Sequence, residues 1–213
     1  MSAVATPVAP PPAASLALAS LVALPGSQEM PRKRWTRAEY QQLVTQGFIP
    51  EGAPYELLEG EIVAKVTQNR RHIIASVQLF QVLLGVFGLN RVQSQMPIGI
   101  DEANEPEPDA AVLRDVVQSY SDSAPGPSDV LLVVEVADAT LRADLNVKSA
   151  LYGRAGIPEY WVVDVNGRTL TVFRQPAPAG YANIATLAES DVVSPLAVPN
   201  AAIPVADLLP PAV

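Results

Sequence analysis

The sequence predicts a mixed α/β (α+β) domain in which helices pack on a β-sheet. Short apolar, β-branched runs separated by turn residues recur from residue 91 to the stretch TLTVFRQ, which indicates several strands. Two longer segments instead have helical spacing. Mixed strands with a few helices are typical of this class. The 213 residues suit one substantial domain, and no internal repeat points to a solenoid.

The N-terminal segment differs in composition from the rest of the chain. Residues 1–28 contain no charged residue and are rich in Ala, Pro, Leu and Val. Such a segment offers no amphipathic face to pack, so we expect a disordered tail over residues 1–30 and a folded domain over residues 31–213. The stretch ASLALASLVAL has the hydrophobicity of a secretory signal, but no basic segment precedes it, and export is the less favoured alternative.

Local signals define the first elements of the domain. RWTRAEYQQLVTQG predicts a short helix in which Thr36 is the N-cap and Glu39 completes a capping box. YELLEGEIVAKV predicts a hairpin that turns near Glu59-Gly60. HIIASVQLFQVLLGVFG predicts a helix whose apolar residues recur along one face. These residues are Ile73, Val77, Phe80, Leu84 and Phe87.

Four strand candidates follow this helix. They are RVQSQMPIGI, DAAVLR, DVLLVVEV and EYWVVDV, with a helix predicted over residues 141–155 before the last. Asn166-Gly167 then predicts a tight hairpin into TLTVFRQ. DVLLVVEV is apolar on both faces from Val130 to Val136, which is typical of a central strand covered on both sides. The Pro/Ala-rich end of the chain is expected to add only the short apolar piece VADLL.

Composition limits the chemistry available to the protein. The chain has no cysteine, which excludes disulfides, thiolate nucleophiles and cysteine-ligated zinc and is compatible with the cytoplasm. Any metal must therefore be held by oxygen ligands or by the single His72. Although mean hydropathy is +0.20, no uninterrupted apolar stretch reaches the ~18 residues of a membrane span. We expect a soluble, cytoplasmic protein without a membrane partner.

The net charge of −8 is unevenly distributed. Residues 101–129 contain eight acids and one base, Arg114. An acidic surface binds nucleic acid poorly by charge alone, which argues against a DNA-coating role. A bound divalent cation would change the local field that a phosphate meets, so a nuclease is not excluded.

Glu135 lies inside the apolar strand DVLLVVEV. A buried, unpaired carboxylate is costly, so this residue needs a cation, hydrogen-bond donors or a proton. A structural salt bridge is the simpler alternative.

Lys148 interrupts an apolar helical stripe. Leu141, Leu145, Lys148 and Tyr152 lie on one face of the predicted helix, whereas solvated lysines normally lie opposite such a stripe. Its ammonium group could escape to water along the aliphatic stem. The sharper hypothesis pairs Lys148 with a buried acid.

Asp109 follows Pro108 at the start of DAAVLR, so its carboxylate is expected at a strand end. Carboxylates from Asp109 and Glu135 at the same end of adjacent strands would suit Mg²⁺ or Mn²⁺, with phosphate oxygens completing the shell. A lysine beside them could orient or deprotonate the attacking water and stabilise the charge on the phosphorus. This is the chemistry of phosphodiester hydrolysis.

The segment EVADATLRADLNVKSALYGRAGIPEYWVVDV, with YELLEGEIV, EPEPDAAVL and the helix-opening His72, resembles the Uma-two family of restriction-endonuclease-like proteins. The resemblance runs from about Arg34 to Leu209. It implies the PD-(D/E)xK nuclease core, with Asp109 and Glu135 as metal-binding acids. The usual superfamily lysine would stand at Ala137, two residues after the acid; in this family it is moved to the next helix, which fits Lys148.

The same resemblance bears on three further residues. The family's upstream acid matches Glu56, which is either a third metal ligand or water-holder or a plain exposed hairpin acid. Asp144 matches an Asp-x-x-x-Lys spacing, and we favour a helical ion pair that positions Lys148. For His72 a hydrogen-bonding role near the site and a purely local role stay equally open; the start of a helix disfavours the imidazolium.

Other candidates concern substrate binding. Arg70, Arg71 and the basic segment at residues 31–35 are ordinary surface charges by default and the best candidates for phosphate contact if nucleic acid binds. Tyr160 and Trp161 lie in an apolar strand, and we expect them in the core rather than in a base-stacking platform.

The leading hypothesis is a Mg²⁺- or Mn²⁺-dependent endonuclease that hydrolyses DNA phosphodiester bonds, with Asp109, Glu135, Lys148 and Glu56 as catalytic residues. The alternative is a non-catalytic binding or assembly module that retains the nuclease fold. DNA is the expected partner, and a homodimer is left open.

Overall fold

A computed structural model describes residues 32–212, which are organised around a six-stranded mixed sheet. The helices are α1 (Arg37–Thr45), α2 (Arg70–Phe87), α3 (Leu141–Ala143) and α4 (Ser149–Arg154). The strands are β1 (Tyr55–Leu58), β2 (Glu61–Ala64), β3 (Val92–Gln93), β4 (Ala110–Leu113), β5 (Val130–Ala137), β6 (Glu159–Asp164), β7 (Thr169–Ala177), β8 (Gly180–Ala188), β9 (Val192–Val193) and β10 (Ile203–Pro204). The mixed sheet flanked by helices confirms the predicted fold class. The tail predicted over residues 1–30 lies outside the described residues.

The sheet has the order β3-β4-β5-β6-β7-β8. Strands β4 and β5 are antiparallel neighbours, as expected for DAAVLR and DVLLVVEV, and β5 runs parallel to β6. One face packs against α2 and the C-terminal turn Val205–Leu208, and the other against the helical segment that contains Tyr152. Strand β5 is therefore covered on both faces, which accounts for its apolar sequence.

Two local predictions near the N-terminus are confirmed. The Thr36 side chain accepts a hydrogen bond from the backbone N–H of Glu39, whose carboxylate accepts one from the backbone N–H of Thr36. Strands β1 and β2 form the predicted hairpin. Its turn residues Glu59 and Gly60 both have positive φ, at 50° and 73°. Two-residue hairpin turns whose twist matches that of the strands need positive φ at both central residues.

The face of α2 that packs on the sheet agrees only in part with the predicted one: Phe80, Leu84 and Phe87 pack against the core as expected. Ile73 and Val77 are about half exposed, at 48% and 51%. The buried residues are instead His72, Ala75, Leu79 and Leu83. The helix is apolar around most of its circumference, so helical periodicity fits more than one face and could not choose between them.

Two strand assignments also need correction. Within RVQSQMPIGI only Val92–Gln93 is a strand, because Gln95 has a positive φ of 51° and Pro97 lacks the N–H that a ladder needs. Strand β8, which pairs with β7 at the edge of the sheet, was not predicted. Its residues are mostly exposed and polar or small, so they give no buried apolar pattern.

Within residues 32–212, no helix combines the length and the apolar character needed to cross a bilayer.

Candidate active site

A cavity of about 370 Å³ opens beside the end of β5. Its walls come from the β1–β2 hairpin, the start of α2, the residues before β4 and the helical segment that follows β5. All four residues proposed as catalytic line it: Glu56, Asp109, Glu135 and Lys148. The structure therefore brings together side chains that are up to 92 residues apart in sequence.

Glu135 projects from β5 toward the face covered by the helical segment, as do its neighbours Val133 and Ala137. Only 4% of the residue is exposed. Among the described residues, two groups donate hydrogen bonds to the Glu135 side chain, and both bind Oε1. They are Nζ of Lys148, at 2.9 Å, and the Tyr152 hydroxyl, at 3.2 Å. Burial raises the pKa of Glu135 to about 8; Lys148 opposes this shift, and nearby carboxylates add to it.

Lys148 bridges two acids inside the cavity. Its Nζ lies 2.9 Å from Oε1 of Glu135 and 3.2 Å from Oε1 of Glu56. The residue is 8% exposed, so the alternative in which its ammonium group reaches water is wrong. Burial alone would lower the pKa of Lys148, but the charges of Glu135, Glu56 and Asp144 outweigh it and raise that pKa above its ordinary value. Lys148 therefore remains protonated.

The helix expected over residues 141–155 is interrupted by a π-helical turn over Asp144–Lys148, between α3 and α4. Such turns insert one residue into a helix and occur frequently at functional sites. Here both ends of the turn are buried, and the stripe Leu141, Leu145, Lys148 and Tyr152 faces the sheet as predicted. The turn thus places an acid, Asp144, and a lysine, Lys148, from the same helical segment against the cavity.

Asp109 immediately precedes β4 and is 8% exposed. Its Oδ2 accepts a hydrogen bond of 2.8 Å from the backbone N–H of Val136, the residue after Glu135. The same oxygen lies 3.4 Å from Nε2 of His72. The expected strand-end carboxylate is therefore fixed against β5, next to the acid with which it was predicted to act.

His72 belongs to this cluster rather than to a purely local structure. Burial lowers the pKa of its imidazole, but the hydrogen bond to Asp109 and the charge of Asp109 outweigh burial, so the pKa is raised. The expectation that the helix start would disfavour the imidazolium is thus wrong, because a carboxylate contacts the ring directly. Nδ1 lies 3.3 Å from the Ser76 hydroxyl, which fixes the ring's other side.

Glu56 is 5% exposed, so the exposed-acid interpretation is wrong. Besides contacting Lys148, it accepts a hydrogen bond of 3.2 Å at Oε2 from the backbone N–H of Glu107. Glu107 in turn pairs with Lys65 at 3.3 Å. The β1–β2 hairpin therefore delivers a second buried carboxylate to Lys148.

Asp144 does not form the predicted ion pair: among the described residues, the acids paired with Lys148 are Glu135 and Glu56. The Lys148 side chain extends to the strand instead of back along its own helix. Asp144 is 2% exposed, and its Oδ2 is buried without a hydrogen-bond partner in the described part of the chain. Burial raises the pKa of Asp144 to about 6, against the opposing effects of Lys148 and Thr140.

The contact between the Tyr152 hydroxyl and Glu135 was not predicted. Helical spacing placed Tyr152 on the buried stripe as an apolar residue, but periodicity does not reveal which polar atom a side chain brings with it. Tyr160 and Trp161 are fully buried, which confirms that they belong to the core.

The basic residues singled out for phosphate contact lie outside the cavity walls. Arg70 is exposed at the start of α2, and Arg71 is 3.5 Å from the Val165 carbonyl. Arg34 pairs with Glu61 at 3.0 Å.

The donor set suits a hard divalent cation. Seven carboxylic acids and two lysines are among the described residues that line the cavity, and the buried Oδ2 of Asp144 is an acceptor without a donor. In residues 32–212, no three acids or histidines are arranged as a ready-made metal site. Mg²⁺ does not require such a cage, because one or two carboxylates with water and phosphate oxygens suffice. Asp109 and Glu135 fit that pattern.

Fold and site together define a nuclease-like α/β domain with an acidic, lysine-containing cavity. Residues 37–206 match the family model Uma2, described as "Putative restriction endonuclease", and the chain belongs to this family. A solved structure with the same fold is a "putative nuclease belonging to DUF820" from Anabaena variabilis, with 16% identity and a TM-score of 0.61. The match covers 81% of this chain and 96% of that one. No curated protein matches the chain.

Proposed function

We propose that this protein is a metal-dependent endonuclease that hydrolyses DNA phosphodiester bonds in the cavity beside β5. One observation supports this most strongly: Lys148 contacts two buried acids, Glu135 and Glu56, in the same cavity as Asp109. Family membership supports the nuclease class. DNA as substrate, and Mg²⁺ or Mn²⁺ as cofactor, are parts of the proposal.

Asp109 and Glu135 would hold the cation, which when bound would neutralise phosphate charge and make water a stronger nucleophile. The backbone N–H of Val136 fixes Oδ2 of Asp109, and Tyr152 with Lys148 fixes Oε1 of Glu135. These contacts orient both carboxylates before substrate arrives, which is how neighbouring groups tune metal ligands.

Lys148 acts as a cation rather than as a base in this proposal. Its pKa is raised by the acids around it, so it keeps its proton at neutral pH. An ammonium group held in the cavity would stabilise negative charge developing on the scissile phosphate. Glu56, 3.2 Å from the ammonium nitrogen, is its second carboxylate partner besides Glu135.

A non-catalytic binding module is the second candidate, and one observation favours it. Among the described residues 32–212, no three acids or histidines are arranged as a ready-made metal site, and Lys148 already pairs with Glu135 and Glu56, so the cluster can be satisfied without any metal ion. A protein that had lost cleavage could keep this ion network for stability alone. Titration calorimetry with Mn²⁺ separates the candidates, because the nuclease requires a cation at Asp109 that the ion network does not.

The test is cleavage of a supercoiled plasmid and of single-stranded circular DNA in the presence of Mg²⁺ or Mn²⁺. We expect the wild type to cut at least one substrate, with loss of activity in a chelator and in Asp109→Ala. Asp164→Ala is the matched control, because that aspartate also ends a strand and accepts backbone N–H bonds but does not line the cavity. Metal-independent cleavage, or full activity in Asp109→Ala, would refute the proposal.

A further inference from the structure

The reactive side chains are recessed rather than displayed on a surface. Glu135 is 4% exposed, and Asp109 and Lys148 are each 8% exposed. A scissile phosphate can contact them only by entering the cavity. The depth of the site therefore restricts which conformations of DNA can react.

The size of the cavity adds a second restriction. At about 370 Å³ it lies at the lower end of the range for small-molecule sites, which is about 300 to 1,000 Å³. A base-paired duplex is a stiff helix much wider than this cavity, so it could bring only a backbone phosphate to the opening. A whole nucleotide can enter a pocket only from a single strand or after it has been extruded from the duplex.

The charges on the walls do not suit a duplex backbone either. Duplex binding depends on Lys and Arg residues that neutralise a series of phosphates. Of the described residues lining this cavity, seven are acids, and the two lysines are already paired: Lys65 with Glu107, and Lys148 with Glu135 and Glu56. Two of these seven acids, Glu59 and Glu61, pair with Arg154 and Arg34. These walls would repel phosphates that do not reach the cation.

The opening is bordered by exposed apolar side chains. Val63 and Val66 follow the hairpin turn, and Val147 projects from the π-helical turn; they are 36%, 55% and 47% exposed. Apolar side chains beside a binding cavity are suited to the faces of bases and sugars. In a paired duplex those base faces are stacked inside the helix and unavailable.

We propose that the substrate of this cavity is an unpaired segment of DNA, one nucleotide of which enters the cavity while its base or sugar packs against Val66 and Val147. This inference rests on the proposed nuclease function and narrows it to a substrate class. It also assigns a role to the exposed valines, which the chemistry of bond cleavage does not use.

The test compares three end-labelled DNAs of one sequence with Mn²⁺: a single strand, its blunt duplex, and a duplex with a single-stranded tail. We expect the single strand to be cut at least about tenfold faster than the duplex, because unpairing costs a few kcal/mol. In the tailed substrate, cuts should fall within the tail. Equal or faster cleavage of the blunt duplex would overturn the inference while leaving the nuclease function intact.

A pair of variants tests the opening itself. Val66→Asp should lower kcat/KM on the single strand by about fivefold or more, because it replaces an apolar contact with a charge that repels phosphate. Val192→Asp adds the same charge at a valine that is 54% exposed and does not line the cavity, and it should behave as wild type. Equal effects of the two variants would overturn the role of Val66. Absence of cleavage of all three DNAs and of plasmid would refute the nuclease function and this inference together.

Discussion

Nζ of Lys148 lies 2.9 Å from Oε1 of Glu135, in a cavity that leaves only 8% and 4% of these residues exposed. Ala137, two residues after Glu135, is apolar, and strand β5 carries no lysine. The helical segment after the strand supplies Lys148, and its ammonium group reaches the Glu135 carboxylate from a different element of the fold.

Tyr152→Phe should weaken Mn²⁺ binding without unfolding the protein. The change removes one of the two donors to Oε1 of Glu135 but keeps the ring, whose centroid lies 5.0 Å from that of Tyr160. Loss of a group that orients a metal ligand typically costs about tenfold in affinity. Titration calorimetry with Mn²⁺ measures this effect.

Tyr181→Phe is the matched control for Tyr152→Phe. Its hydroxyl donates to the Ile157 carbonyl at 2.9 Å, and its ring belongs to the same aromatic cluster, but it does not contact the cavity acids. It should leave Mn²⁺ affinity unchanged. If both variants bind Mn²⁺ as the wild type does, Tyr152 does not position Glu135.

Asp144→Asn should stabilise the metal-free protein, increasingly so at higher pH. Burial raises the pKa of Asp144 to about 6, from 3.8 in the unfolded chain, so the folded state holds this proton more tightly. The contribution of Asp144 to the free energy of unfolding is therefore fully present below the unfolded pKa of 3.8. It is lost as pH rises through the folded pKa of about 6. Asparagine cannot ionise and so avoids this loss. The free energy of unfolding of Asp144→Asn should exceed that of the wild type only slightly near pH 4 and by about 2 to 3 kcal/mol above pH 7.

The free energy of unfolding in urea, measured for both proteins across this pH range, checks the Asp144 prediction. A gain that does not change with pH would mean that ionisation of Asp144 is not its source. A loss of stability at neutral pH would mean that the negative charge is needed to hold Lys148.

Mn²⁺ affinity should rise as pH increases from about 6 to about 8. The pKa of Glu135 is raised to about 8, so a cation that needs the ionised carboxylate must displace a proton below that pH. One displaced proton corresponds to about a tenfold change in affinity per pH unit. Calorimetry in buffers of different ionisation enthalpy would detect the released proton. An affinity that is flat over this range would show that Glu135 is not a ligand.

Much of the fold could be predicted because several short sequence patterns are each typical of one local backbone conformation. The capping box of Thr36, the Glu59-Gly60 turn and the apolar strand ending at Val136 each specify one conformation, and each was found where expected. The packing face of α2 was predicted only in part, because apolar residues occupy most of the circumference of that helix and its periodicity does not show which of them are fully buried. Strand β8 could not be predicted because an exposed edge strand needs no apolar alternation.

The candidate site was predictable only in part, because contacts between distant elements of the fold leave no local pattern in the sequence. A lysine on the buried stripe and an acid in a central strand both need partners, so pairing Lys148 with Glu135 followed from the cost of burying charge. The partner of Asp109 depends on how the start of α2 meets β5, and no sequence pattern places the His72 ring there. The lack of a direct ion pair between Asp144 and Lys148 likewise depends on the direction that the Lys148 side chain takes.

The metal-dependent cleavage rate of Lys148→Met tests the central claim most directly. Methionine keeps most of the aliphatic packing and removes the charge that contacts Glu135 and Glu56. We expect a rate about 10² to 10³ lower than wild type, with the fold retained. Lys148→Arg should also be poor, because a planar guanidinium does not replace a compact ammonium group there. Lys65→Met, which removes the cavity's other lysine, should retain far more activity. Near-wild-type cleavage by Lys148→Met would contradict the proposed mechanism.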